Sequence, residues 1–234
     1  MRGKGFTFKQ FEINHENCAM KVGTDGVLLG AWCACDSAQR IADIGTGTGL
    51  IALMCAQRNA SATIDAIEID HSAAECAHEN IARTAWSDRI RVIETAIQNF
   101  DAEERYDLIV SNPPYFSETL QSPDPSRATA RHNCSLPHRD LIAAAQRLLT
   151  DEGRMALILP ADEARRFAMQ AVVAGLHLRR RCEVITKRGA MPKRTMSEWS
   201  LAPCAAEHEQ LILAADDGSR SEEYSRLTEE FYLH

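Results

Sequence analysis

The chain has 234 residues, 45% of them apolar and 25% charged, which suits one large globular domain and excludes a disordered chain. Its net charge of −7 argues against a surface coated for sequence-blind nucleic-acid binding, though not against a local basic patch. The longest apolar runs, 27–35 and 155–160, are too short to span a bilayer, and no apolar stretch follows the basic N-terminus as a secretion signal would require.

Before residue 40 the pattern predicts one or two short strands and a helix near 27–35. From about 40 to 159, β-branched runs alternate with helix-patterned stretches, as in α/β proteins. Strands are expected at 40–43, 63–69, 91–94, 106–111 and 155–159. Helices are expected at 50–59, at 73–84 behind a cap at Asp70 or Ser72, at 141–149 up to a turn at 151–153, and at 161–174 with Gly175 at the end. Three further strands, 176–186, 195–202 and 210–214, follow without an intervening helix and predict an antiparallel hairpin at the end of the sheet. The polar stretch 117–138, with Pro123, Pro125 and Pro137, has the length of a functional loop.

The eight cysteines include one close pair, Cys33-Ala-Cys35, and no CxxC. A chain this apolar does not need disulfides, so most of them read as reduced, buried small hydrophobes in a cytoplasmic protein. The spacing lacks the paired knuckles of a zinc site, and no metal is expected.

Asp43-Ile-Gly45-Thr46-Gly47-Thr-Gly49 lies between a predicted strand and a predicted helix. Glycines there let the backbone approach a ligand, and the helix start offers free N–H groups. A plain tight turn would not need three glycines and an acid. The dinucleotide fingerprint GxGxxG would put its third glycine where Leu50 stands. A carboxylate at Asp43 would also repel a pyrophosphate and attract an amine or sulfonium, which favours S-adenosylmethionine. The acid closing the second strand, Glu68, is placed to take both ribose hydroxyls, leaving Asp70 as a helix cap. This layout resembles the class I methyltransferases.

Asn112-Pro113-Pro114-Tyr115 closes the fourth strand of that region. As a mere strand terminator it would be unremarkable, but the carboxyl ends of parallel strands share one crevice. An exocyclic or amide nitrogen is a weak nucleophile because its lone pair is delocalised. The Asn112 side-chain oxygen and the Pro113 carbonyl can accept its two hydrogens and aim that lone pair, while Tyr115 offers a face for stacking. The tetrapeptide resembles the motif of methyltransferases acting on adenine N6, guanine N2 or the glutamine amide.

Phe6-Thr-Phe-Lys-Gln-Phe11, the block from Met20 through Lys21, Thr24, Asp25 and Gly30 to Trp32, and the tail Glu230-Phe-Tyr-Leu233 resemble the bacterial tRNA1(Val) adenine-N6 methyltransferase family. The likeness runs nearly end to end. It implies a Rossmann-like, mostly parallel seven-stranded sheet flanked by helices with a C-terminal antiparallel hairpin, in one domain whose first 39 residues form part of the cofactor pocket. It also implies that Thr24 contacts the methionine end of the cofactor and Lys21 lies near its carboxylate, with a solvated Lys21 and a helix-capping Thr24–Asp25 as the alternatives. Class I enzymes commonly place an Asp after the third strand for the cofactor adenine. Here Ala96 stands there, leaving backbone groups around Ala96 and Ile97, or Gln98.

The implied acceptor is an adenine beside the anticodon, already outside a duplex and cheap to extrude. Arg127, Arg131, Lys187, Arg188, Lys193 and Arg194 are the cations expected to grip RNA phosphates, though any one alone reads as solvated surface. A glutamine-amide methyltransferase shares the tetrapeptide but normally carries an added N-terminal helical domain. The partners expected are tRNA and the methyl donor, with no membrane and no second copy of the chain.

Overall fold

The strand at 40–44 is buried at four consecutive positions, Ile41 to Ile44, so it must be covered on both faces. The computed structural model, which describes residues 5–15, 21–114 and 136–233, places it inside an eight-stranded sheet. Strands β1 (Gly5–Thr7) and β2 (Glu12–Asn14) form a small antiparallel pair, and helix α1 (Thr24–Trp32) follows. The alternating core then runs β3 (Arg40–Ile44), α2 (Leu50–Arg58), β4 (Thr63–Glu68), α3 (His71–Ala82), β5 (Ile90–Glu94) and β6 (Tyr106–Ser111). Next come α4 (His138–Leu148), β7 (Leu149–Pro160), α5 (Ala161–Val173), β8 (His177–Lys187), β9 (Arg194–Ser200), β10 (Glu207–Ala214) and α6 (Glu222–Thr228).

The sheet order is β10-β8-β9-β7-β6-β3-β4-β5. Strands β7, β6, β3, β4 and β5 are parallel, and β9 inserts antiparallel between β7 and β8, so the hairpin is where the sequence puts it. All eight strands expected from residue 40 onward join the sheet, one more than the seven the resemblance implies, with β10 pairing parallel to β8 on the outer edge. Alternate residues feed two cores. Ile41, Ile64, Leu108 and Val110 face α1, α2 and α3, whereas Ala42, Ile67, Ile109 and Leu157 face α4 and α5.

Asp70 caps α3 by accepting from the Ala73 amide, and Gly175 ends the turn after α5 at φ +84. The turn expected at 151–153 is instead the start of β7, whose register slips against β6 between Tyr106 and Leu108. Only glycine fits at 153, since a Cβ there would stand 2.8 Å from the Tyr106 carbonyl oxygen.

The chain builds outward from β3 through β4 to β5, then returns to the other side of β3 as β6. That reversal opens a crevice at the carboxyl ends of β3 and β6. The two strand ends are tied directly, because the buried Ser111 hydroxyl donates to the Ile44 carbonyl at 2.7 Å.

Candidate active site

The glycine turn leaves β3 with Gly45, Gly47 and Gly49 all at positive φ, +71, +59 and +80. The Gly45 and Thr46 amides donate to the Ile67 carbonyl, which pins the turn to the end of β4. An added Cβ at Gly45 or Gly47 would meet no protein atom within 4 Å, so both present bare backbone to open space. Gly49 differs. Its Cβ would stand 3.3 Å from Ile81, so this glycine lets α3 pack against the turn and does not line the crevice.

The crevice has a volume of about 550 Å³. One wall is the turn, through Gly45, Thr46, Gly47 and Thr48; the second is Asn112, Pro113 and Pro114; the third is the segment from Lys21 to Gly26. Predicted positions Lys21, Thr24, Gly45, Thr46, Gly47, Asn112 and Pro113 therefore meet in one place. Thr24 begins α1 but does not cap it; the cap is Gly23, whose carbonyl accepts from Val27. A larger hollow of about 940 Å³ at the amino ends of the strands is bordered by Asp65 and by Arg40 and Arg91, both of which pair with it, and lies away from the glycine turn.

Asp43 does not reach the crevice. Its side chain is fully buried and turned inward, where Oδ2 accepts from the Thr46 hydroxyl at 2.6 Å and the Ala52 amide at 3.1 Å. It shapes the turn from behind, where the sequence reading had it meeting the donor's amine. Burial pushes its carboxyl up to about 7, against the opposing pull of the Thr46 and Ala52 hydrogen bonds. The folded protein thus holds this proton more tightly than the unfolded chain does. The stabilisation is full below pH about 4 and is lost as pH rises through about 7. Asp43→Asn keeps an acceptor oxygen and removes the titration. We expect its thermal midpoint to exceed that of the parent at pH 8, by up to about 4 kcal/mol in stability. Parallel melting curves from pH 5 to 8 would remove Asp43 as the cause.

Glu68, nearly buried, sits beside the crevice. Its Oε2 accepts from the Gly47 amide at 2.9 Å, and its Oε1 accepts from the amides of Ile69 and Asp70 at 2.9 and 3.0 Å. Three backbone donors fix the carboxylate and leave one lone pair, on Oε2, for a further donor. Ala96 and Ile97 lie past β5 and do not line the crevice. Their carbonyls accept from Asn99 and Phe100 and, for Ile97, from Arg147. Gln98 donates to Asp140 at 2.7 Å. Tyr115, Arg127 and Arg131 lie outside the described residues.

The basic loop lies on the same side of the sheet. Arg194 is paired in register with Pro160 at the carboxyl end of β7. Lys187, Arg188 and Lys193 are exposed, with Arg188 3.7 Å from Asp216. Arg194 departs from the sequence reading: its Nε donates to Asp25 at 2.7 Å, which joins the loop to the crevice wall. Ser111 and the Arg194–Asp25 pair were missed in the sequence, since nothing local marks contacts across 67 and 169 residues.

These residues fit S-adenosylmethionine. Bare glycine backbone admits close contact, a fixed carboxylate with a spare lone pair suits a ribose hydroxyl, and the volume falls in the usual range for small-ligand sites. Solved structures agree on the fold. A predicted O-methyltransferase from Agrobacterium tumefaciens superposes with TM-score 0.67 at 20% identity, covering 90% of this chain and 98% of that one. A glycopeptide N-methyltransferase complexed with S-adenosylmethionine gives 0.55 at 13% identity, covering 77% and 88%. Residues 24–184 match the family model described as Methyltransferase small domain. Fold, crevice and family model together define an S-adenosylmethionine-dependent class I methyltransferase.

Within that class the chain belongs to the tRNA1(Val) (adenine(37)-N6)-methyltransferase family. It is 48% identical to the member from Tolumonas auensis, over 100% of this chain and 98% of the relative. It is 46% identical to the member from Bacteroides thetaiotaomicron, over 98% and 97%.

Proposed function

We propose that this chain methylates the N6 of adenine 37 in tRNA1(Val), the reaction named for its relatives. The observation that carries the reading is the Ser111–Ile44 hydrogen bond, which holds Asn112 and Pro113 beside the glycine turn in one crevice. S-Adenosylmethionine, when bound, supplies a methyl group on a sulfonium. Asn112 Oδ1 and the Pro113 carbonyl accept the two hydrogens of the adenine amine and orient its lone pair. The glycine turn and Glu68 hold the donor. No strong base is needed, because the nitrogen becomes acidic as it takes up the methyl group.

The first 39 residues act as part of the same domain, since Lys21–Gly26 supply a crevice wall. The anticodon loop is the element presented, and the protein works as a cytoplasmic monomer. Among the described residues no helix is long and apolar enough to cross a membrane. Lys187, Arg188 and Lys193 contact phosphates beside the crevice. Alanine at both Lys187 and Lys193 should weaken tRNA binding and lower the log–log salt slope by roughly 1 to 2. An unchanged slope would remove the loop from the interface.

The test of function is transfer of labelled methyl from S-adenosylmethionine to total tRNA from a strain lacking this activity. Label in N6-methyladenosine at position 37 of tRNA1(Val) supports the reading. Label only in protein would move the acceptor to a glutamine amide.

A further inference from the structure

Cysteines that are scattered along the chain converge behind the crevice. Cys33 closes α1, Cys35 follows in the next loop, and Cys55 lies near the end of α2. All three side chains are fully buried, and their sulfurs lie within 4.8 Å of one another, with Cys33 and Cys55 at 3.8 Å. A thiolate-bound ion has metal–sulfur bonds of about 2.3 Å, so three sulfurs around one ion stand about 4 Å apart. The cluster already has nearly that spacing. The sequence shows no paired knuckles because the third ligand comes from a different helix.

The surroundings select the kind of ion. Arg58 is the neighbouring cation, its Nη1 3.9 Å from Cys33 Sγ and hydrogen-bonded to the Gly30 and Cys33 carbonyls. Its Nη2 pairs with both carboxylate oxygens of Asp36, a largely exposed side chain whose Oδ1 stands 4.0 Å from Cys35 Sγ. Among the described residues the cluster therefore offers three soft sulfurs and no histidine, beside the Arg58–Asp36 ion pair. Zinc requires a fourth ligand, whereas a cuprous ion is satisfied by a soft, low-coordinate thiolate set. We propose that Cys33, Cys35 and Cys55 form a trithiolate site for one cuprous ion, which clamps α1 to α2.

The three thiols release their protons to buffer as the ion enters. Copper stays cuprous and no sulfur is oxidised. The N-terminal ends of both clamped helices, at Thr24–Gly26 and Leu50–Ile51, line the crevice, so the ion would stiffen two of its walls without touching substrate.

The full-length reduced protein should be given Cu(I) anaerobically as its bicinchoninate complex. The expected result is withdrawal of one equivalent per chain, X-ray absorption showing three sulfur neighbours, and a thermal midpoint raised by at least about 5 °C. Cys55→Ala should lose all three effects, and Cys204→Ala, at an exposed cysteine outside the cluster, should keep them. If Cys55→Ala does not fold, Cys35→Ser serves, and absorption on the parent protein needs no variant. Failure to compete with bicinchoninate, a coordination number of two, uptake unchanged by either cluster variant, or preferential zinc binding would each overturn the site. None of these outcomes bears on methyl transfer to tRNA.

Discussion

Asn112→Ala lowers methyl transfer by about 10²- to 10³-fold at saturating donor and tRNA, while donor affinity stays within a few-fold of the parent. Asn112 supplies one of two acceptors for the amine. With the Pro113 carbonyl alone, the nitrogen can rotate about a single hydrogen bond and its lone pair is no longer aimed. The donor is held elsewhere, by the turn at Gly45–Gly47 and the backbone-fixed Glu68. Asn112 is only half-buried, so truncation leaves no large cavity and the fold survives. Single-turnover rates and calorimetry of donor binding measure the two quantities separately. Loss of donor binding together with transfer would show that the roles are not divided this way.

Gly47→Ala gives the opposite signature, with donor affinity falling by about 100-fold, or 2.7 kcal/mol. The position has φ +59, where a side chain costs roughly 1 to 2 kcal/mol. The new methyl meets no protein atom within 4 Å, so the chain still folds, but the methyl projects into the crevice. Gly49→Ala is the internal control. Its Cβ would press on Ile81 at 3.3 Å, so it should lower the thermal midpoint more than it changes donor affinity. Equal affinities for the parent and Gly47→Ala would contradict the placement of the donor along this turn.

Much of this was legible because certain residue types have few alternative uses. Alternating glycines behind a strand, an acid closing the next strand and Asn-Pro-Pro each constrain backbone or acceptors locally, so their positions in the crevice follow from topology. What the sequence could not show was direction. Asp43 and Gly49 stand in the same short turn as Gly45 and Gly47, yet one faces the core and the other faces α3. Strand β7 begins at Leu149 because Gly153 lies against Tyr106, a contact that local turn chemistry does not reveal. Arg194 looked like a phosphate ligand in a basic run, and only folding brings Asp25 to it. The cysteine trio was hidden for the same reason.

The central claim is that one crevice brings the methyl donor to an amine held by Asn112 and Pro113. A crystal structure with S-adenosylhomocysteine measures this most directly. The account predicts the ligand between the Gly45–Gly47 turn and Asn112–Pro113, with its ribose at Glu68. A ligand lodged in any other hollow, or with Asn112 facing away from its sulfur, would contradict the account.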